Sequence, residues 1–167
     1  MQFAARSETF QFARLLQTAE LLAYLTNRYR ETELEAPFAI SSLLATYAAL
    51  ECLAMESARD AAVETYSNRG FRMAGLHSKF QQLVGTDREV PACVSEIVMH
   101  RAALTHSEPD NERTADVGRV LNARDVGRFV AGIREVAHWL WKGARPIPVS
   151  NGFDGPNDYI DEAERLR

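Results

Sequence analysis

The sequence predicts an all-α fold, an antiparallel bundle of four to five helices. Apolar residues recur at three- and four-residue steps along most of the 167-residue chain, which is typical of amphipathic helices. Strand-like alternation does not compete with this spacing, and Gly, Pro and clustered charges separate the periodic segments. A chain of this length suits one domain that buries its own core.

The first two predicted helices are long. The first covers about residues 7–30, and the charged segment 28–35 with Pro37 forms the break after it. An Ala-rich composition supports the second helix, which runs to about residue 66. Its apolar stripe consists of Ile40, Leu43, Leu44, Tyr47, Ala54, Met55 and Ala58.

A turn at residues 67–70 precedes a short third helix, which is the least periodic of the predicted helices and is closed at Gly85. Pro91 suits the first turn of a fourth helix, and this helix must end near Glu108 because the residue before a proline avoids helical geometry. The fourth stripe consists of Val94, Ile97, Val98, Arg101 and Leu104.

The last long helix begins at Asn122, a suitable N-cap with Asp125 in the first turn, and ends at Gly143. Its stripe includes Phe129, Ile133 and Trp141. We expect one helical domain at residues 1–148, followed at residues 149–167 by an acidic, mobile tail.

The net charge of -4 excludes the chain-wide basic field of generic nucleic-acid binders, so any contact with nucleic acid must be local. Cys52 and Cys93 lie in apolar helical patterns, as core residues of a protein in a reducing compartment do. We find no signal peptide and no apolar run of about 20 residues, so we expect a cytoplasmic protein without a membrane segment. The two cysteines do not form a metal-type cluster, and we expect neither a cofactor nor a metal.

Two charged residues fall inside the predicted apolar faces. With about 100° per residue, Glu51 lies about 40° from Tyr47 on the second helix, and Arg101 lies about 40° from Ile97 on the fourth. Because a charge in a bundle interior costs several kcal/mol unless it is paired, we predict that Glu51 and Arg101 approach each other.

His106 follows Arg101 by five residues, near the predicted end of the fourth helix. The helix dipole there stabilises an imidazolium, which suits proton transfer near neutral pH. On an ideal helix the two side chains point about 140° apart, so a shared site needs either a loosened helix end or a second copy of the chain across a two-fold axis.

The order of helices and the segment Arg101-Ala-Ala-Leu-Thr-His106 resemble the HEPN (higher eukaryotes and prokaryotes nucleotide-binding) domains, small helical bundles with an arginine and a histidine separated by four to six residues. The resemblance covers roughly residues 8–142. It implies a metal-independent endoribonuclease that acts as a homodimer, often as a toxin or in defence, and in some systems is restrained by a partner protein.

By the same resemblance, Arg101 would bind the scissile phosphate and His106 would act as general acid or base, while Glu51 would orient Arg101. The RNA's own 2′-hydroxyl would then be the nucleophile, and the product would be a 2′,3′-cyclic phosphate. Active members commonly have a polar residue directly after the arginine, whereas this chain has Ala102.

Two alternatives remain at this point. One is a catalytically silent HEPN-like module that binds a partner, such as an antitoxin-like or defence subunit. The other is an unrelated bundle, in which Glu51 and Arg101 form a structural ion pair and His106 faces solvent.

Other candidates have simpler interpretations. Arg72 and His77 have the same five-residue spacing but lie outside a strong apolar stripe, and we attribute the match to chance. His100 is expected at the edge of an apolar face, and His138 is expected to be partly buried beside two tryptophans. A basic rim, which we interpret as a solvated helix face, comprises Arg113, Arg119, Arg124, Arg128 and Arg134.

Overall fold

The computed structural model describes residues 2–61, 65, 67–105 and 121–142, with side chains described at 11–60, 65, 67–104 and 121–142. These residues form helices and connecting turns, without a strand, which confirms the predicted all-α class. The helices of this part of the chain are α1 (Gln2–Arg28), α2 (Glu35–Ala61), α3 (Arg69–Met73), α4 (Leu76–Val84), α5 (Ala92–Thr105) and α6 (Ala123–Trp141).

The break between α1 and α2 is shorter than the sequence suggested. α2 begins at Glu35, so Pro37 lies within its first turn instead of before it. Proline is accepted there because the first N–H groups of a helix have no partner within the helix. At its other end α1 reaches back to Gln2, five residues before the predicted start.

The α1–α2 turn is held by one carboxylate. Glu31 adopts a left-handed backbone conformation with φ of 63°, and its N–H donates to Oε2 of Glu35 at 2.6 Å. The rings of Tyr29 and Phe38 stack across the turn with centroids 5.6 Å apart. The two long helices therefore form an antiparallel hairpin.

The predicted third helix is α4, and a further short helix, α3, begins inside the turn predicted at residues 67–70. Asn68 caps α3 by accepting a hydrogen bond from the N–H of Phe71, and Phe71 and Leu76 anchor the pair in the interior. α4 ends where Gly85 takes a φ of 78°, a conformation that favours glycine. With α3, the described residues form six helices, one more than the upper end of the expected four to five.

The ends of the last two helices follow the sequence signals closely. Pro91 comes directly before α5, and Oδ1 of Asn122 accepts hydrogen bonds from the N–H groups of Arg124 and Asp125, as an N-cap does. α6 ends at Trp141, close to the predicted end at Gly143, and Lys142 adopts the left-handed C-cap conformation. The predicted end of the fourth helix near Glu108 lies outside the described residues, as does the tail at 149–167.

α2 and α6 lie at the centre of the bundle, with α1 packed against both and α5 packed against both. α6 runs antiparallel to α5, and Gly132 lets the two helices approach closely, since a Cβ there would lie 3.2 Å from Cys93. Trp141 closes one end of the core by packing edge-on against Phe12 and donating to Ser57. The fully buried side chains include Leu16, Leu43, Leu50, Leu53, Phe80, Val94, Ile97, Phe129 and Ile133.

One segment of α2, Glu35–Asp60, is long and apolar enough to cross a membrane, contrary to the expectation that no run of this kind exists. Half of its most apolar window is buried inside the bundle. Its position at the centre of a helical core accounts for that composition. One residue of the predicted stripe, Leu44, lies on the outer face with 44% of its surface exposed.

Candidate functional site

Four polar or charged side chains meet where α2, α4 and α5 come together. Tyr47 and Glu51 lie one turn apart on α2, Lys79 lies on α4, and Arg101 lies near the end of α5. We refer to these four residues as the polar cluster. The polar cluster contains two of the three predicted site residues, Glu51 and Arg101. Its other members, Tyr47 and Lys79, were not predicted as site residues.

Glu51 holds the centre of the polar cluster. Lys79 Nζ lies 2.5 Å from one carboxylate oxygen, Oε2, and the Tyr47 hydroxyl donates to the other, Oε1, at 3.1 Å. The Lys79 and Glu51 side chains are 7% and 25% exposed, so the ion pair is largely removed from water. Both carboxylate oxygens are therefore engaged by residues of neighbouring turns or helices.

Arg101 meets the polar cluster through an aromatic ring. Its guanidinium carbon lies 4.9 Å from the centroid of the Tyr47 ring, a cation–π distance. Glu51 and Arg101 thus share Tyr47 as a contact, Glu51 at the hydroxyl and Arg101 at the ring face. The structure brings both residues to the same tyrosine, whereas their direct approach to each other stays a prediction.

The electrostatics of Tyr47 follow from these neighbours. Its partly buried position raises the pKa of the phenol, and the adjacent Glu51 carboxylate raises it further, whereas the Arg101 charge acts in the opposite direction. The Tyr47 hydroxyl therefore remains protonated at neutral pH and acts as a hydrogen-bond donor to Glu51.

The third predicted site residue, His106, lies outside the described residues, and α5 is described as far as Thr105. His100, which precedes Arg101 on α5, is half-buried: Nδ1 lies 2.8 Å from the Glu96 carbonyl oxygen, and the ring packs edge-on against Phe129. That is the boundary position expected for His100. Ala102 extends from α5 next to Arg101 and is partly buried.

The remaining histidines face solvent. His77 is exposed, as is Arg72, the other member of the second Arg–His pair. His138 is also exposed, which contradicts the expectation that it packs beside the tryptophans. Because Ala137 and Trp141 point inward, α6 turns His138 away from the core.

Two arginines of the predicted basic rim are paired with acids. Arg134 donates to Glu20 at 2.9 Å through Nε, and Arg128 lies 2.8 Å from Glu96. The other members, Arg113 and Arg119, lie outside the described residues, and Arg124 is exposed.

Sequence reasoning missed two site residues, Lys79 and Tyr47. Lys79 could not have been recognised. It lies on the shortest periodic segment, where a lysine beside the buried Phe80 has the pattern of a solvated residue. Its burial depends on contact with α2, which no local signal reveals. Tyr47 could have been found, because a tyrosine four residues before an inward glutamate can reach it on one helix face.

The cysteines offer no reactive group. Cys52 and Cys93 are both free thiols, and burial raises the pKa of each, with nearby carboxylates acting in the same direction. Both thiols therefore stay protonated at neutral pH and are poor nucleophiles. Among the described residues, no group of His, Cys, Asp and Glu could hold a metal ion.

No protein-family model, curated protein or solved structure matches this chain. The chemistry of the polar cluster therefore carries the functional interpretation.

Proposed function

We propose that this protein is a metal-independent endoribonuclease of the HEPN type, active as a homodimer and serving as a toxin or defence effector. The observation that carries the proposal is the setting of Arg101, which stacks on Tyr47 beside a compensated glutamate near the end of α5. A guanidinium held in this way is suited to binding a phosphodiester, because it offers several directed donors and a permanent charge.

The reaction proposed for these residues is an internal transesterification of RNA. The 2′-oxygen attacks phosphorus while a histidine removes its proton, the bond from phosphorus to the 5′-oxygen breaks, and an acid returns a proton to that oxygen. Arg101 stabilises the charge on the phosphate oxygens, and His106 is the proposed acid or base. The products are a 2′,3′-cyclic phosphate and a 5′-hydroxyl.

The homodimer is part of the proposal for a geometric reason. Residues five apart on an ideal helix point about 140° away from each other. The proposed site therefore combines Arg101 of one copy with His106 of a second copy across a two-fold axis, which creates two equivalent sites.

The test is incubation of the purified protein with single-stranded RNA and tRNA in EDTA. We expect cleavage that leaves cyclic-phosphate ends, and a loss of about 10²-fold or more in Arg101→Ala and in His106→Ala. Arg72→Ala and His77→Ala are matched controls, because this exposed pair has the same residue types and spacing. Equal losses in both pairs, or cleavage of DNA, would contradict the proposal.

The second candidate is a catalytically silent helical module that binds a partner protein, for example as an antitoxin-like or defence subunit. The observation that favours it is Ala102, an apolar residue beside Arg101 where active HEPN-like enzymes commonly have a polar one. Ala102→Asn separates the candidates. Cleavage that is weak in the native chain and stronger in Ala102→Asn supports the enzyme, whereas a folded dimer with no cleavage in either form supports the module.

A further inference from the structure

Lys79 is a buried cation with no role in the reaction proposed above. Only 5% of its surface is exposed, although lysine is seldom buried unless it is paired. Its ammonium donates to Glu51 Oε2 across 2.5 Å, and a hydrogen bond between two charged groups is stronger than one between neutral groups. The pair joins α4 to α2 at the point where the polar cluster forms.

The contacts of the polar cluster form a continuous series from Lys79 to Arg101. Lys79 binds one oxygen of Glu51, the other oxygen accepts the hydrogen bond of the Tyr47 hydroxyl, and the Tyr47 ring lies under the Arg101 guanidinium. Each contact limits the freedom of the next group: the ammonium orients the carboxylate, the carboxylate orients the phenol, and the phenol ring lies against the guanidinium.

The charges of these residues predict what happens to Arg101 when Lys79 is removed from this series of contacts. A partly buried carboxylate that lost Lys79 would seek another cation, and Arg101 is already in contact with the same tyrosine. Glu51 would then draw the guanidinium towards itself and away from the position it holds over the ring.

We propose that Lys79 is a positioning residue for Arg101, acting through Glu51 and the Tyr47 ring. The consequence for catalysis rests on the proposed ribonuclease function, whereas the effect on the position of Arg101 does not. An ion pair that serves only to stabilise the fold would leave the Arg101 contact unchanged in any variant that still folds.

NMR spectroscopy of the arginine side chains measures the position directly. Protons of Arg101 over the Tyr47 ring are shifted upfield by the ring current, and Arg101→Lys assigns them. We expect folded Lys79→Met to lose this upfield shift and Lys79→Arg to retain it. Arg88 is an internal control, because its guanidinium lies 4.7 Å from the centroid of the Trp139 ring and has no part in the polar cluster.

The outcomes decide the proposal without reference to enzyme activity. Loss of the Arg101 shift with an unchanged Arg88 shift supports it, and retention of both shifts in folded Lys79→Met overturns it. If Lys79→Met does not fold, Tyr47→Phe and Glu51→Gln test the same series of contacts: the Arg101 shift should shrink in each, and retention in both overturns the proposal.

RNA cleavage is the second measurement. Lys79→Met should lower kcat about 10-fold or more, with a smaller change in KM, since a misplaced guanidinium loses charge stabilisation in the transition state. Lys79→Arg should restore most of the activity. If the native chain does not cleave RNA, the proposed function fails, while the NMR result still decides the role of Lys79.

Discussion

Removing the Lys79 ammonium should destabilise the fold far more than removing a surface charge. The two side chains of the Lys79–Glu51 pair are 7% and 25% exposed, and their charged atoms are 2.5 Å apart. Loss of one member of a buried pair costs about 3–5 kcal/mol, because the other charge is left without compensation. Glu51 keeps the Tyr47 hydroxyl as a donor, so we expect about 3 kcal/mol for Lys79→Met, at the low end of that range.

The double variant separates the interaction free energy of the Lys79–Glu51 pair from the packing change that each substitution causes. Glu51→Gln alone should cost about 2 kcal/mol, and adding it to Lys79→Met should cost little more, because no uncompensated charge then remains. The resulting coupling free energy is about 2 kcal/mol. Urea denaturation followed by helical circular dichroism measures all four forms, and an unchanged m-value shows that the comparison concerns stability.

Arg128 and Glu96 provide the matched control. They are 2.8 Å apart and also join two helices, but their side chains are 56% and 34% exposed. The corresponding cycle with Arg128→Met and Glu96→Gln should give a coupling of about 0.5 kcal/mol. A Lys79–Glu51 coupling as small as that of the control pair would refute the reasoning, since the pair would then behave as if it lay in water.

Three further predictions concern single side chains. Phe12→Ala should lower the free energy of unfolding by about 3–5 kcal/mol in urea denaturation, because Phe12 is fully buried against Trp141. Met99 is 63% exposed, so Met99→Ala should change this free energy by no more than about 0.5 kcal/mol. Similar costs for the two variants would contradict the described core. Asn122→Ala should lower stability by about 1 kcal/mol through loss of the α6 cap, and an unchanged thermal midpoint would show that water replaces the cap. Because the folded state raises the pKa of Tyr47, the unfolded chain loses that proton first, and stability present below about pH 10 falls as pH rises through the folded pKa. Tyr47→Phe should reduce this alkaline loss of stability, and an identical pH profile would contradict the pKa argument.

The long helices could be predicted because their packing repeats with the helical period. The α6 stripe and its Asn122 cap are local signals, and both are confirmed. Pro37 led to a wrong start for α2, because proline is found both where helices break and in their first turn. The left-handed C-cap conformation of Lys142 at the end of α6 has no local signal, since a lysine does not favour that conformation.

The polar cluster was only partly accessible to sequence reasoning. The inward placement of Glu51 and Arg101 follows from helical angles alone, and both lie in the cluster. Lys79 could not be recognised, because its burial arises from contact between α4 and α2, elements that are distant in the sequence. His138 shows the opposite error: proximity to two tryptophans in sequence did not imply a shared face.

Glu35 joins two chain segments that are far apart in sequence. Oε2 accepts the N–H of Glu31 in the α1–α2 turn, and Oε1 accepts the N–H of Ala123 in the first turn of α6 at 3.2 Å. The start of α6 is thereby held by two groups, the Asn122 cap beside it and the Glu35 carboxylate of the hairpin. A substitution in the α1–α2 turn that displaces the Glu35 carboxylate would therefore reach the start of α6, 88 residues further along the chain.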